Sequence, residues 1–244
     1  MMQNKKKEIV FFDKLAEEKH EFSVLSEKCF KRLFSELSKF LTKKTRNIKI
    51  IDLGCGTGNF TKKLSFFSDQ IYGCDISRKS IERAKYLYPK IKFSVQDVIN
   101  LSFANNSFDV VIFSGVLHHF NNLYEPLKEA KRILKKDGLI FSFDPNLKNP
   151  FFWLFRRKNS LFYSKKGVTE NEEPLKQKEI ENMMKLHNFN NIDVYAISNM
   201  PLKSVGDKKL SYFKYFYNFA DYLLNLVPFI RNSIGSFLIT KGQK

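Results

Sequence analysis

The chain has 244 residues and is 43% hydrophobic, with 26 phenylalanines, enough for a full core and incompatible with wholesale disorder. Its 42 lysines and arginines against 25 acids give +17 at pH 7, which favours an anionic partner: nucleic acid, an anionic membrane surface or an acidic substrate. The lysines are spread over nearly every segment, however, so the charge also reads as compositional drift with a solvated basic surface.

From the N-terminus, Lys5-Lys6-Lys7 precedes an apolar stretch, Ile9 to Phe12, too short for a signal peptide. No later run approaches the roughly 20 apolar residues of a membrane span. Phe22, Leu25, Cys29, Leu33, Leu37 and Leu41 recur at three and four residues and predict an amphipathic helix ending near Thr42-Lys43-Lys44. Ile48 to Leu53 is short and β-branched, a buried strand, and Gly54, Gly56 and Gly58 follow at alternate positions. Such glycines let the backbone turn sharply and let a ligand approach the main chain. Helical spacing resumes through Phe60, Leu64 and Phe67. The spacing is neither Gly-x-Gly-x-x-Gly nor a P-loop, so no phosphate cradle is implied.

Gln70 to Asp75 is a second strand ending in an acid about twenty residues after the first glycine, the interval at which a carboxylate reaches ribose hydroxyls. Ser77 caps a helix with Ile81, Ala84 and Tyr88 on one face. Ile91 to Val95 alternates as a third strand before Gln96-Asp97-Val98, where Asp97 is either a site residue or a turn acid. Asn105-Asn106-Ser107 is a turn and Phe108 to Phe113 a buried strand, with Asp109 read as structural. That strand runs out into Ser114-Gly115-Val116-Leu117-His118-His119-Phe120, where chemistry belongs in a parallel sheet. Asn121-Asn122 caps a helix carrying Leu123, Leu127, Ala130 and Leu134. Lys135 to Gly138 ends it, and Leu139 to Phe143 is the fifth strand.

Asp52-Leu53-Gly54-Cys55-Gly56-Thr57-Gly58 resembles motif I of the class I S-adenosylmethionine (SAM)-dependent methyltransferases, and Phe108-Asp109-Val110-Val111 resembles their fourth strand. Leu117-His118-His119-Phe120 through Lys136-Asp137-Gly138 is similar to the ubiquinone/menaquinone-biosynthesis-like branch of small-molecule methyltransferases. The resemblance spans about 48–144. It implies an α/β fold, a doubly wound, mostly parallel seven-stranded sheet, with an N-terminal helical cap at 1–46 and a SAM-binding domain at 47–244. It also implies acceptor-side insertions at about 145–175 and 199–231. SAM is the implied cofactor, held by Asp52, Gly54, Cys55, Gly56 and Gly58, by Asp75 and Ile76 at the ribose, by Asp97 and Val98 at the adenine, and by Ser114. The segment around Phe11 to Leu15 would cover it.

Methyl transfer to a hydroxyl usually needs a base, and His118 and His119 are the candidates. Consecutive side chains diverge, so one of the two is expected to face the pocket. The same loop lacks the Asp/Asn-Pro-Pro-aromatic tetrapeptide of adenine and amide N-methylation. No cysteine follows Cys74 to act as a cytosine-C5 nucleophile, so nucleic-acid bases are not the expected acceptor. Cys29, Cys55 and Cys74 show no Cys-x-x-Cys and no ligand spacing, from which no disulfide, no metal and a reducing cytoplasm are expected.

Beyond Pro145 the pattern is less regular. Asn149-Pro150 is a turn, Phe151 to Phe155 an aromatic run closed by Arg156 and Arg157, and Lys165 to Pro174 a polar stretch with the composition of a mobile loop. A helix through Ile180, Met183, Met184 and His187 leads to a strand at Ile192 to Ile197. With Ser236 to Thr240 this strand is expected to form an antiparallel hairpin at the sheet edge. Between them, 211–228 carries two apolar stripes, one of them Tyr212, Phe216, Phe219, Leu223 and Leu226. A lid, a dimer face, or contact with an anionic membrane through 208–231, flanked by Lys203, Lys208, Lys209 and Arg231, all fit. The expected function is methyl transfer from SAM to a small or lipid-linked hydroxyl-bearing metabolite. The alternatives are a basic RNA-binding or RNA-modifying protein on the same fold and a SAM-binding scaffold without turnover.

Overall fold

The computed structural model describes residues 4–18, 25–41, 47–163, 169, 171–203 and 212–244. Phe22, the helix end at Thr42 to Lys44, Lys165, Lys208, Lys209 and Ser211 lie outside the described residues. Seven strands, β1 Lys49–Leu53, β2 Gln70–Asp75, β3 Lys92–Val95, β4 Phe108–Ser114, β5 Leu134–Pro145, β6 Asn190–Ile197 and β7 Phe237–Gln243, form one sheet. Their order is β3-β2-β1-β4-β5-β7-β6. Strands β1 to β5 pair in parallel, and β7 lies antiparallel between β5 and β6, the expected edge hairpin.

Alternation along the strands divides the core in two. Ile51, Leu53, Val111, Phe113 and Ile140 turn to one face, under helices α4 (Tyr124–Ile133) and α6 (Gln177–Leu186). Ile50, Val110, Ile112, Phe141 and Ile239 turn to the other, under α2 (Glu27–Phe40), where Cys29, Leu33 and Leu37 are buried as the spacing predicts. Ser26 caps α2 by accepting from the Cys29 N–H at 3.3 Å, and Ser77 caps α3 (Arg78–Leu87) by accepting from Ser80 at 3.0 Å.

Four details depart from the sequence reading. After the glycine turn the chain makes a six-residue 3-10 segment, Thr61–Phe66, instead of an α-helix. Ser68 must return to donate to the Ile48 carbonyl before β2 begins, which leaves no room for a longer helix. Phe60, Leu64 and Phe67 are nonetheless buried as expected. Leu123, not the Asn121-Asn122 pair, sits at the cap position of α4, and Asn122 supports it by accepting from the Tyr124 N–H at 2.9 Å. Lys135 to Gly138 is not a helix end. Helix α4 stops at Ile133 and β5 starts directly with a bulge, Phe108 opposing Leu134 and Val110 opposing Leu139. Within it Asp137 takes the left-handed conformation (φ 62°), and Gly138 is needed because a Cβ there would lie 2.9 Å from the Lys135 carbonyl oxygen. Finally, the described part of the presumed mobile loop is packed, with Thr169 and Asn171 buried.

The N-terminal segment is a helix, α1 (Lys5–Glu17), that the sequence pattern did not announce. Its Asp13 carboxylate accepts from the Ser77 hydroxyl at 2.6 Å and from the Lys79 N–H at 3.1 Å, tying α1 to the start of α3. Pro150–Arg156 forms α5, with Asn149 as its cap, and Phe213–Asn225 and Pro228–Ile234 form α7 and α8. No helix among the described residues is long and apolar enough to cross a membrane.

Candidate active site

The site is built at the carboxyl ends of β1, β2 and β4, where the glycine turn crosses from strand to helix. The N–H groups of Gly54 and Cys55 both donate to the Cys74 carbonyl, at 2.8 and 3.0 Å, which locks the turn against β2. Gly54 has φ 72°, and a Cβ there would stand 2.4 Å from Val116. Gly56 also has positive φ (52°), but a Cβ there would meet nothing within 4 Å, so its open side is space for a ligand. Asp52 stands behind the turn, fully buried, with one oxygen accepting from Thr61 at 2.7 Å and the other without a partner. Burial pushes its carboxyl up to about 7, against the hydrogen bond from Thr61. Asp52 thus braces the turn and does not line the cavities. Burial likewise raises the Cys55 and Cys74 thiols, which makes both poor nucleophiles.

Asp75, at the end of β2, has one oxygen on the Gly56 N–H at 2.8 Å and the other on the Ser77 N–H at 2.9 Å. Beside it a cavity of about 140 Å³ is lined by Gly56, Asp75, Ile76, Asp97, Val98 and Phe120 and is covered by Lys5, Glu8 and Phe12 of α1. Two aliphatic side chains and two carboxylates around a slot suit a planar base joined to a sugar diol. Asp97 also accepts from the Ile99 N–H at 3.2 Å and pairs with Lys5 at 2.6 Å, so its turn role and its place in the site coexist.

A second cavity, of about 300 Å³, shares Gly54, Gly56, Gly115, His119 and Phe12 with the first and extends away from it. Seven phenylalanines line it, among them Phe60, Phe143, Phe152 and Phe237, together with Ser114 and Arg156. Both His118 and His119 face it, their ring centroids 4.3 Å apart, contrary to the expectation that only one would. They sit in a 3-10 turn, Leu117–His119, where successive side chains are rotated by about 120° and not by the strand's 180°.

The two imidazoles have different partners. His118 Nδ1 lies 2.9 Å from Asp144 Oδ1, which also accepts the His118 N–H at 3.1 Å, while Nε2 lies 3.8 Å from Glu172. Burial and the neighbouring His119 charge push His118 down to about 3, and burial pushes Asp144 up to about 7. His118 is therefore a neutral imidazole oriented by a carboxyl, with Nε2 on the side of Glu172, which also lines the cavity. His119 Nδ1 lies 3.4 Å from Glu8 and 3.3 Å from the Thr169 hydroxyl. Burial works against its charge, yet Glu8, Glu172 and Asp144 outweigh it and raise the imidazole above its ordinary value. Asn171 donates to the same Glu8 at 2.9 Å, and Glu8 in turn is held below its ordinary value by these partners despite burial.

This pair makes the α1 cover pH-sensitive. The raised His119 contributes stability that is fully present below about 6.5 and is lost as pH rises through its folded value. The depressed Glu8 contributes stability present above about 4.5 and lost as pH falls through its folded value. Amide-exchange protection of α1 is therefore expected to peak between the two and to decline on both sides, and Glu8→Gln should flatten the profile. An unchanged profile in Glu8→Gln would show that the pair does not hold the helix.

His118, His119 and Glu172 also bring ligand atoms within 4.8 Å of one another, a spacing that a divalent ion accepts. Asp144 and Glu8, each beside an Nδ1, would orient the two rings toward such an ion. Asp144, Glu8 and Glu172 were not singled out from the sequence as site residues. Asp144 carried a signal as an acid at the end of a parallel strand, whereas Glu8 and Glu172 come from segments without periodicity that only the tertiary fold brings in.

A family model described as a methyltransferase domain matches residues 51–142. The ubiquinone biosynthesis O-methyltransferase of Pelagibacter ubique is 27% identical over 201 residues, covering 75% of this chain and 84% of that protein. An uncharacterized protein of Methanocaldococcus jannaschii is 30% identical over 203 residues, covering 75% of this chain and 76% of its own length. Among solved structures, a SAM-dependent methyltransferase from Thermotoga maritima, described as a possible histamine N-methyltransferase, superposes with a TM-score of 0.63. It covers 96% of this chain and 99% of its own at 17% identity, a likeness of fold.

Proposed function

Because the chain belongs to the class I SAM-dependent methyltransferases, in their ubiquinone/menaquinone-biosynthesis-like branch, we propose that it methylates a hydroxyl oxygen of an apolar, aromatic or isoprenoid-bearing metabolite. Bound SAM supplies an electrophilic methyl on a sulfonium sulfur. In this reading Gly54, Cys55, Gly56 and Ser114 pack around the cofactor, Asp75 with Ile76 takes the ribose, and Asp97 with Val98 takes the adenine. Gly58 lines neither cavity and instead lets Phe93 and Tyr88 pack close behind the turn. Asp52 acts indirectly by bracing the turn. The α1 helix, the described part of 145–175 and Leu202 close the acceptor side and keep water out.

The observation that carries the acceptor assignment is the phenylalanine-lined cavity joined to the glycine turn, with the neutral His118 imidazole in its lining. His118 accepts the hydroxyl proton at Nε2 while Asp144 holds Nδ1. A weak base is sufficient, because an oxygen becomes strongly acidic as it is alkylated. His119, its imidazole raised by the neighbouring Glu8, is the positioning partner. The name of the Pelagibacter relative supports an oxygen acceptor of quinone type. The test is a product screen: enzyme, radiolabelled SAM, and fractions of lipid and small-molecule extracts. Label is expected in an apolar hydroxyl-derived methyl ether. Label only in an amine or in RNA would overturn the reading.

A further inference from the structure

We propose that helices α5, α7 and α8 form a docking face for an anionic lipid bilayer. Eleven of the twenty exposed large hydrophobic side chains among the described residues fall between Tyr212 and Ile230. Helix α7 is amphipathic in the inverted sense. Its inner side carries Asn218 and Asp221, hydrogen-bonded to the Leu202 N–H at 2.9 Å and the Met200 N–H at 2.6 Å, with Asp221 also accepting from Ser236. Its outer side carries Tyr212, Phe216, Phe219, Leu223 and Leu226, all exposed, and α8 adds Phe229 at 91% exposure. The patch continues onto α5 and the following turn through Phe151 against Phe216 at 5.8 Å and Phe155 against Phe213 and Phe162 at 5.9 and 6.4 Å. Trp153 and Leu161 stand exposed there. So many exposed apolar side chains gathered on three helices mark an interaction surface.

Charge identifies the occupant. Across 145–163 and 212–235 the chain carries Lys148, Arg156, Arg157, Lys158, Lys214 and Arg231, and its single acid is the buried Asp221. Exposed Tyr and Trp with aliphatic side chains, flanked in these described stretches by cations, match the boundary between headgroups and acyl chains of an anionic leaflet. A two-fold dimer through this patch would set cations against cations, with no exposed acid among the described residues of these stretches to pair them. RNA would leave Leu223, Leu226, Val227 and Ile230 without apolar cover. Helix α5 also separates this face from the acceptor cavity: Phe152 and Arg156 line the cavity while Trp153 points out. Passage of an acceptor from bilayer to cavity past α5 rests on the acceptor class proposed above; the docking face does not.

The test is flotation of the full chain with vesicles of phosphatidylcholine alone or with added phosphatidylglycerol, alongside light scattering. The wild type should float with the anionic vesicles and be released by salt. Phe216→Asp/Leu226→Asp should abolish flotation, while unchanged calorimetric SAM binding reports an intact fold. Arg157→Glu/Lys158→Glu/Lys214→Glu should weaken it by about fivefold or more per charge. A wild type that stays at the bottom of the gradient, or an apolar variant that still floats, overturns the proposal. So does a wild-type dimer that the apolar variant breaks without any flotation, which would assign the face to a second copy. Flotation reads the face and the labelled product reads the acceptor, so the two proposals fail separately.

Discussion

Replacing His118 by alanine is expected to lower methyl transfer by about 10²- to 10⁴-fold, the usual contribution of a positioned base, while leaving SAM affinity within about twofold. The separation follows from geometry: His118 lines the phenylalanine cavity and not the slot beside Asp75 and Asp97. Asp144→Asn tests the orientation. An amide in place of the carboxyl can donate to Nδ1, which would turn the tautomer and put the proton on Nε2, where the base needs a lone pair. Turnover should then fall nearly as far as in His118→Ala, and the double variant should lose little more. Two further arms separate a base from a metal ligand. Activity that survives chelation, together with a loss in His118→Ala that shrinks as pH rises and the acceptor ionises unaided, marks a base. Activity abolished by chelation and restored by one divalent ion would instead assign the His118–His119–Glu172 cluster to a metal. Full turnover in His118→Ala would remove the base altogether.

The parts of this site that were legible in the sequence are those whose geometry is local. The glycine turn, Asp75 and Ser114 sit at strand ends, so a short apolar run and its terminal residue place them within one or two positions. Asp97 follows β3 in the same way. The seven-stranded, mostly parallel sheet is implied by the family resemblance, whereas the order β3-β2-β1-β4-β5-β7-β6 comes from the structure. What escaped the sequence depends on distant segments. Glu8 meets His119 across 111 positions of chain, and Glu172 meets His118 across 54, from stretches with no apolar period to announce them. The divergence expected of adjacent histidines does not hold in the three-residue 3-10 turn, where both rings reach the same cavity.

The stretch at 211–228 shows how periodicity can be read correctly while its orientation stays hidden. The two apolar stripes were visible, but apolar residues on a helix do not say which side is covered. The cover is decided by Asp221 and Asn218, whose hydrogen bonds to the 200–202 backbone draw the polar side inward. Of the described residues, none in α7 lines either cavity, so the helix is not a direct lid. It acts at one remove, with Tyr217 packed edge-on against Phe151 of α5 at 5.0 Å.

Asp75→Ala should weaken SAM binding by about 2–4 kcal/mol, roughly 30- to 1000-fold, since each hydrogen bond to a buried charge is worth about 1.5–3 kcal/mol. Both Asp75 oxygens already hold backbone N–H groups, at Gly56 and Ser77, so alanine removes a ligand contact and also unpins the turn that shapes the slot. Asp75→Asn retains one acceptor oxygen and should fall between wild type and alanine. The pH dependence separates binding from folding. Burial raises the Asp75 carboxyl above its ordinary value of 3.8 despite the two N–H donors. Below the folded value the native state holds a proton that the unfolded chain does not. Lowering the pH therefore favours the ligand-free fold through this group while it removes the charge proposed to bind the ribose. Relative to Asp75→Asn, the wild type should gain stability and lose SAM affinity over the same acidic interval, two slopes of opposite sign. If affinity in wild type and Asp75→Asn falls in parallel, the carboxylate does not carry the ribose contact. Asp75 is then only the pin of the glycine turn.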